Sequence, residues 1–103
     1  MLKLIFYVPE SHMEPVKQAV FLAGAGKIGH YEHCCWQTAG LGQFKPLENS
    51  QPFLGQRDVL EKVPEYKIEM VCNEKYLSNV IKALKDSHPY EEPAFDILQL
   101  LEI

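Results

Sequence analysis

The stretch Leu2-Lys3-Leu4-Ile5-Phe6-Tyr7-Val8-Pro9-Glu10-Ser11 sets the fold, because it passes from a strand into the start of a helix. Leu, Ile, Phe, Tyr and Val at 2–8 suit a pleated, buried surface, and Pro9, with no N–H to give to a ladder, ends the run. Ser11 followed by Glu14 has capping-box spacing and predicts a helix opening near residue 12. Pro15 would then fall in the first turn, where its missing N–H costs little. Val16, Ala19, Val20 and Ala23 recur at i, i+3, i+4 and i+7, one apolar stripe, and Gly24 is the expected terminator.

Outward from there, the turn Gly24-Ala25-Gly26-Lys27-Ile28-Gly29 leads to a second strand expected over Cys34–Ala39, with Gly40 and Gly42 interrupting the pattern. Residues 47–56 carry turn formers and read as a loop. Glu65, Lys67 and Glu69 alternate with Tyr66, Ile68 and Met70, a half-buried strand ending near Cys72. Asn73 can cap a second helix with the stripe Leu77, Val80, Ile81 and Leu84. Pro89 closes that helix, and Ala94–Leu101 is expected as the last strand.

The order β-α-β-β-α-β predicts an α+β, ferredoxin-like domain over residues 1–103: a four-stranded antiparallel sheet with both helices on one face. The first and last strands carry apolar residues on both sides (Leu4 and Phe6 against Ile5 and Tyr7; Phe95 and Ile97 against Leu98 and Leu100). The face without helices therefore needs a cover, and self-association is expected.

Composition narrows the function. Apolar content of 47% and charged content of 23% are those of a globular chain. A net charge of −4, with ten scattered Lys and Arg, argues against a nucleic-acid partner, which needs clustered cations. No apolar run approaches a membrane span, and the apolar start is too short for a signal peptide, so no membrane association is expected. Three cysteines, two of them adjacent, do not read as a disulfide framework; a cytoplasmic location is expected.

Three motifs carry chemistry. Gly24-x-Gly26-x-x-Gly29 has the letters of a dinucleotide fingerprint but follows a helix and precedes a strand, the reverse of what pyrophosphate binding needs. It reads as a helix cap and tight turn, and no organic cofactor is expected. His30, His33, Cys34 and Cys35 form the most metal-like cluster. Side chains alternate along a strand, so His33 and Cys35 share a face and could co-ligate a divalent or copper ion, with His30, His88 or Glu91 joining; buried core cysteines are the plainer reading. His88-Pro89-Tyr90-Glu91-Glu92-Pro93 is stiffened by its prolines. It reads either as a rigid connector or as a segment presenting Tyr90 and Glu91 to a ligand or a neighbouring subunit. Adjacent carboxylates on an extended segment diverge, which disfavours catalysis.

The runs Gly24-Ala25-Gly26-x-Ile28-Gly29-x-Tyr31-x-x-Cys34, Gly40-x-Gly42-x-Phe44-x-Pro46, Pro52-x-x-Gly55 and His88-Pro89-Tyr90-Glu91-Glu92-Pro93-Ala94 resemble the P-II/CutA-like module in the middle of NIF-three-like (NGG-one interacting factor three) proteins. The His-Pro-Tyr-Glu segment also looks like the CutA family. The resemblance implies a homotrimer and, by analogy, a small ligand or metal ion held at subunit clefts. The longer proteins' two-metal, hydrolase-like ligands lie in flanking halves and are not expected here. The residues thus favour a non-enzymatic binding or regulatory module, with working surfaces at Gly26, Gly29 and Tyr31 and at His88, Tyr90, Glu91 and Glu92, meeting between subunits. A zinc- or copper-binding protein, or a small enzyme or accessory subunit of a metal-dependent hydrolase, are the alternatives.

Overall fold

The computed structural model describes residues 1–103. Its elements are β1 (Leu2–Val8), α1 (Glu10–Leu22), β2 (Trp36–Phe44), β3 (Glu61–Cys72), a 3-10 turn (Glu74–Tyr76), α2 (Leu77–Ser87) and β4 (Phe95–Gln99). The sheet order is β2-β3-β1-β4, and each neighbouring pair is antiparallel. This is the α+β arrangement expected, with β1, apolar on both sides, paired on both edges by β3 and β4.

Leu4, Phe6 and Val8 of β1 and Ile68, Met70 and Cys72 of β3 point to one side of the sheet. There they meet Met13, Val16, Val20 and Phe21 of α1 and Val80 and Leu84 of α2 in a single buried cluster. Fully burying such side chains contributes roughly 1.5–3 kcal/mol each before chain entropy is counted. The opposite face has no helix. Register places Lys3, Ile5 and Tyr7, Glu65, Lys67, Glu69 and Val71, Asp96 and Leu98, and Trp36 there. It is mixed rather than wholly apolar: Lys3 Nζ lies 3.3 Å from Glu69 Oε1, while Trp36 is 70% exposed and Leu98 46%.

Several boundaries differ from the sequence reading. The Ser11–Glu14 capping box does not form. Pro9 is itself the N-cap, its carbonyl accepts from His12 N at 3.0 Å, and the helix begins at Glu10. Ser11 Oγ instead pairs with His12 Nδ1 at 2.8 Å. Pro15 consequently lies inside the helix beyond its first turn, leaving the Ser11 carbonyl without its usual partner. Asn73 does cap as expected, its side chain accepting from Lys75 N, though on the 3-10 turn that precedes α2.

The second strand starts at Trp36 and runs through Gly40 and Gly42 to Phe44, and the third begins at Glu61, four residues earlier than expected. Gly42 does not disrupt the strand: it leaves space for the end of the Glu65 side chain, which lies across it and which a Cβ would displace. β1 pairs with β3 only from Tyr66 to Cys72, so residues 40–44 and 61–65 form a two-stranded hairpin that overhangs the sheet. The molecule measures 45 × 25 × 24 Å, and the long β2–β3 hairpin fits its long axis. The last strand is shorter than expected, ending at Gln99. No helix is long and apolar enough to cross a membrane.

Candidate functional site

The segment after α2 is fixed to the end of β1 by one buried side chain. β4 pairs with β1 no further than Phe6, so on that side the Tyr7 carbonyl has no strand partner. His88, 7% exposed, fills the gap: its Nε2–H donates to Tyr7 O at 2.7 Å. Nε2 carries the proton, so Nδ1 is the acceptor for Tyr90 N–H at 3.1 Å. Both ring nitrogens are thus committed to backbone. Burial, the main influence, pushes the imidazole below its usual pKa, against a weaker opposing pull from the Tyr7 carbonyl and the Glu65 charge. His88 holds a shape; it offers no free nitrogen to a metal.

That shape is a cleft of about 420 Å³ between the His88–Ala94 segment, the hairpin overhang and the loop after β2. The loop folds back over it: Gln51 N–H donates to Glu91 Oε1 at 3.1 Å, and the ring of Phe53 lies 6.3 Å from Tyr90 and 5.3 Å from His12. Phe44 packs 6.1 Å from Tyr90 on the other side. Tyr7, Glu65 and Tyr90 face the interior, and Glu91 and Glu92 stand exposed at the mouth. The Tyr90 hydroxyl is out of solvent without a well-formed hydrogen bond, although the Glu65 carboxylate lies beside it. Burial first and Glu65 second push the phenol far above its usual pKa. Glu65 is half-buried and makes no ion pair.

The other expected residues lie at the opposite end of β1. Gly26 N–H donates to Val71 O, beside the first residues of that strand, and Gly26 O accepts from Cys34 N, both at 2.8 Å. Ile28 and Tyr31 exchange both backbone hydrogen bonds around Gly29-His30, which leaves the Tyr31 ring 75% exposed. Within one chain the Gly26–Tyr31 turn and the His88–Glu92 segment therefore do not meet.

His33 and Cys35 do not sit on a shared strand face, because β2 begins only at Trp36 and His33 has φ 59°. That left-handed backbone lays the His33 ring on Phe21, stacked at 4.9 Å, and breaks the alternation on which the pairing rested. No group of three His, Cys, Asp or Glu side chains is placed to hold a metal ion. Cys34 and Cys35 are half-buried, and Cys72 is buried in the core, which raises its thiol pKa.

Sequence reasoning missed Glu65, Tyr7 and the loop wall. The signal that could have found Glu65 was Gly42, a glycine in a strand marking the close approach of another group.

Comparison with known proteins places this geometry in context. No family model matches the chain. It is 45% identical over 98 residues to a GTP cyclohydrolase 1 type 2 homolog of Halalkalibacterium halodurans, and 44% identical over 99 residues to one of Mycobacterium tuberculosis. These matches take in 95% and 96% of this chain but 26% of each relative, so the chain spans about a quarter of the curated relatives' length. Among solved structures, a Bacillus cereus protein related to NIF3 superposes with a TM-score of 0.83 at 39% identity, over 96% of this chain and 25% of the other. A PII-like protein CutA from Nostoc superposes with a TM-score of 0.69 over 97% of this chain and 81% of the other, at 14% identity, a likeness of fold alone.

Proposed function

From the premise that this chain is homologous to one quarter of the NIF-three-like proteins, the quarter folded like CutA, we propose that it is a non-enzymatic, self-associating binding module that assembles as a homotrimer in the cytoplasm. The observation that carries the reading is the sheet face without helices. Trp36 and Leu98 stand exposed on it, close to Ile5, Tyr7 and Val71, and the Lys3–Glu69 pair supplies polar register. Packing this face against the neighbouring subunits of a closed ring removes the apolar groups from water. Head-to-tail contacts around such a ring would bring the Gly26–Tyr31 end of one subunit toward the His88–Glu92 end of the next.

Chemistry of the kind in the relatives' name is assigned by this reading to the three quarters of their length that the chain does not match. A metal-binding role finds less support here, since it would need ligands from more than one subunit.

Trp36 is the only tryptophan, which makes the proposal easy to test. Self-association through the open face moves its emission to shorter wavelength as concentration rises, and light scattering returns about three times 11.8 kDa. Trp36→Glu returns the protein to a folded monomer by the same measurement. A wild-type mass of one subunit at tens of micromolar, with unchanged emission on dilution, would overturn the proposal.

A further inference from the structure

The cleft between the hairpin overhang and the His88–Ala94 segment has a composition that selects its ligand. The walls are apolar, with Leu41, Phe44, Pro46, Pro52, Phe53 and Leu54. The charged residues that line it are Glu65, Glu91 and Glu92, and neither Lys, Arg nor His joins them. A phosphate or carboxylate ligand would meet three like charges and no counter-charge, so nucleotides and organic acids are poor candidates.

Two interior polar groups face each other. The Glu65 carboxylate, half-buried and lying across Gly42, makes no ion pair, and the Tyr90 phenol beside it is its polar neighbour. Tyr90 Oη is out of solvent. The phenol O–H can donate to Glu65, which leaves the carboxylate's remaining lone pairs and the phenol oxygen itself open to a donor from a ligand, and an ionised donor is the strongest available. The aromatic faces of Tyr7, Phe44 and Tyr90 add attraction for a cation and none for an anion. The volume of about 420 Å³ is in the range of small-molecule sites.

The geometry points to a binding site for a small organic cation, a primary ammonium group on an apolar or aromatic body. The ammonium donates to Glu65 and Tyr90 Oη, and the body lies against Phe44, Phe53 and the two prolines. This deepens the reading of the chain as a binding module and rests on it; the cleft adjoins the open sheet face, where Tyr7 and Glu65 lie.

The test uses the full chain and 2-phenylethylammonium as probe, with 2-phenylethanol and phenylacetate as neutral and anionic counterparts of the same shape. NMR titration is expected to shift resonances of Tyr7, Phe53 and Tyr90 with the amine at about 10 mM or below, the range for so small a ligand. The alcohol binds about tenfold more weakly and the acid not at all. Glu65→Gln, which keeps the shape and removes the charge, is expected to weaken the amine about tenfold while leaving the folded spectrum intact. Tyr90→Phe removes the phenol oxygen that accepts from the ammonium and is expected to weaken the amine severalfold. Equal binding of all three probes, undiminished binding by Glu65→Gln, or no shift at about 10 mM amine would each overturn the assignment. Light scattering and Trp36 emission on the same samples separate that failure from a failure to assemble. A trimer that ignores the amine sinks only this proposal, and a monomer that binds it sinks only the other.

Discussion

His88 shows how a residue that looks chemical becomes structural once its partners are known. Donation from Nε2–H to the Tyr7 carbonyl and acceptance at Nδ1 from Tyr90 N–H leave the ring no lone pair for other work. His88→Ala strands both backbone groups in a buried setting and is expected to lower stability by about 2–3 kcal/mol in urea denaturation. The acid response has a definite sign. The folded imidazole has its pKa below the ordinary 6.5, so under more acidic conditions the unfolded chain takes up a proton that the native one refuses. Above pH 6.5 both states are neutral and His88 contributes no slope; as pH falls from 6.5 toward its lowered pKa, stability is lost. Glu65 and His12, the other titratable groups acting on the ring, pull in opposite directions. Stability measured from pH 7 to 5 should fall more steeply for the wild type than for His88→Gln, and equal slopes would refute this. The sequence marked the His88–Pro93 segment as unusual, since two prolines around an aromatic and two carboxylates are hard to miss. It could not reveal that Tyr7, 81 residues away from His88, is what the ring holds.

At the level of elements, the strands and helices were largely legible, because alternation in Glu65–Met70 and the helical stripes follow directly from which side chains meet the core. The misread boundaries trace to interactions without a local signature. Ser11 and Glu14 have the right spacing, yet Pro9 already closes the first turn. Gly42 looks like a strand breaker until Glu65 is seen lying across it. The glycines therefore differ in what they tolerate. Gly26 has φ 78°, and a Cβ there would come within 2.7 Å of the Phe21 ring, so Gly26→Ala is expected to cost about 1–3 kcal/mol. Gly40 has open space around it, and Gly40→Ala should stay within about 0.5 kcal/mol of wild type. Thermal melts of the two variants side by side check both values.

For the whole molecule, the layering was readable but the cleft was not. Two helices over one sheet face follow from the order of elements and the handedness of crossovers. The cleft arises because a loop with few apolar anchors doubles back from the hairpin to the segment after α2, a contact such as Gln51 with Glu91 that no periodicity encodes. The loop's grip is expected to be weaker than the core's. Glu91→Gln keeps one acceptor for Gln51 N–H and should leave hydrogen exchange in residues 47–56 nearly unchanged, whereas Glu91→Ala should accelerate it several-fold without a matching change in the sheet. Uniform acceleration across both regions would show that the loop and sheet open as one unit.

The central place of β1 also governs how the protein is made. Its two neighbours, β3 and β4, lie far along the chain at Glu61–Cys72 and Phe95–Gln99, so β1 is made well before either partner. At translation rates of about 5–20 residues per second the wait from Val8 to Cys72 is roughly 3–13 s. During it Leu4, Ile5, Phe6 and Val8 have no ladder to join, and nascent chains halted before Glu61 should be captured by chaperones and cut by proteases more readily than chains that extend past Cys72.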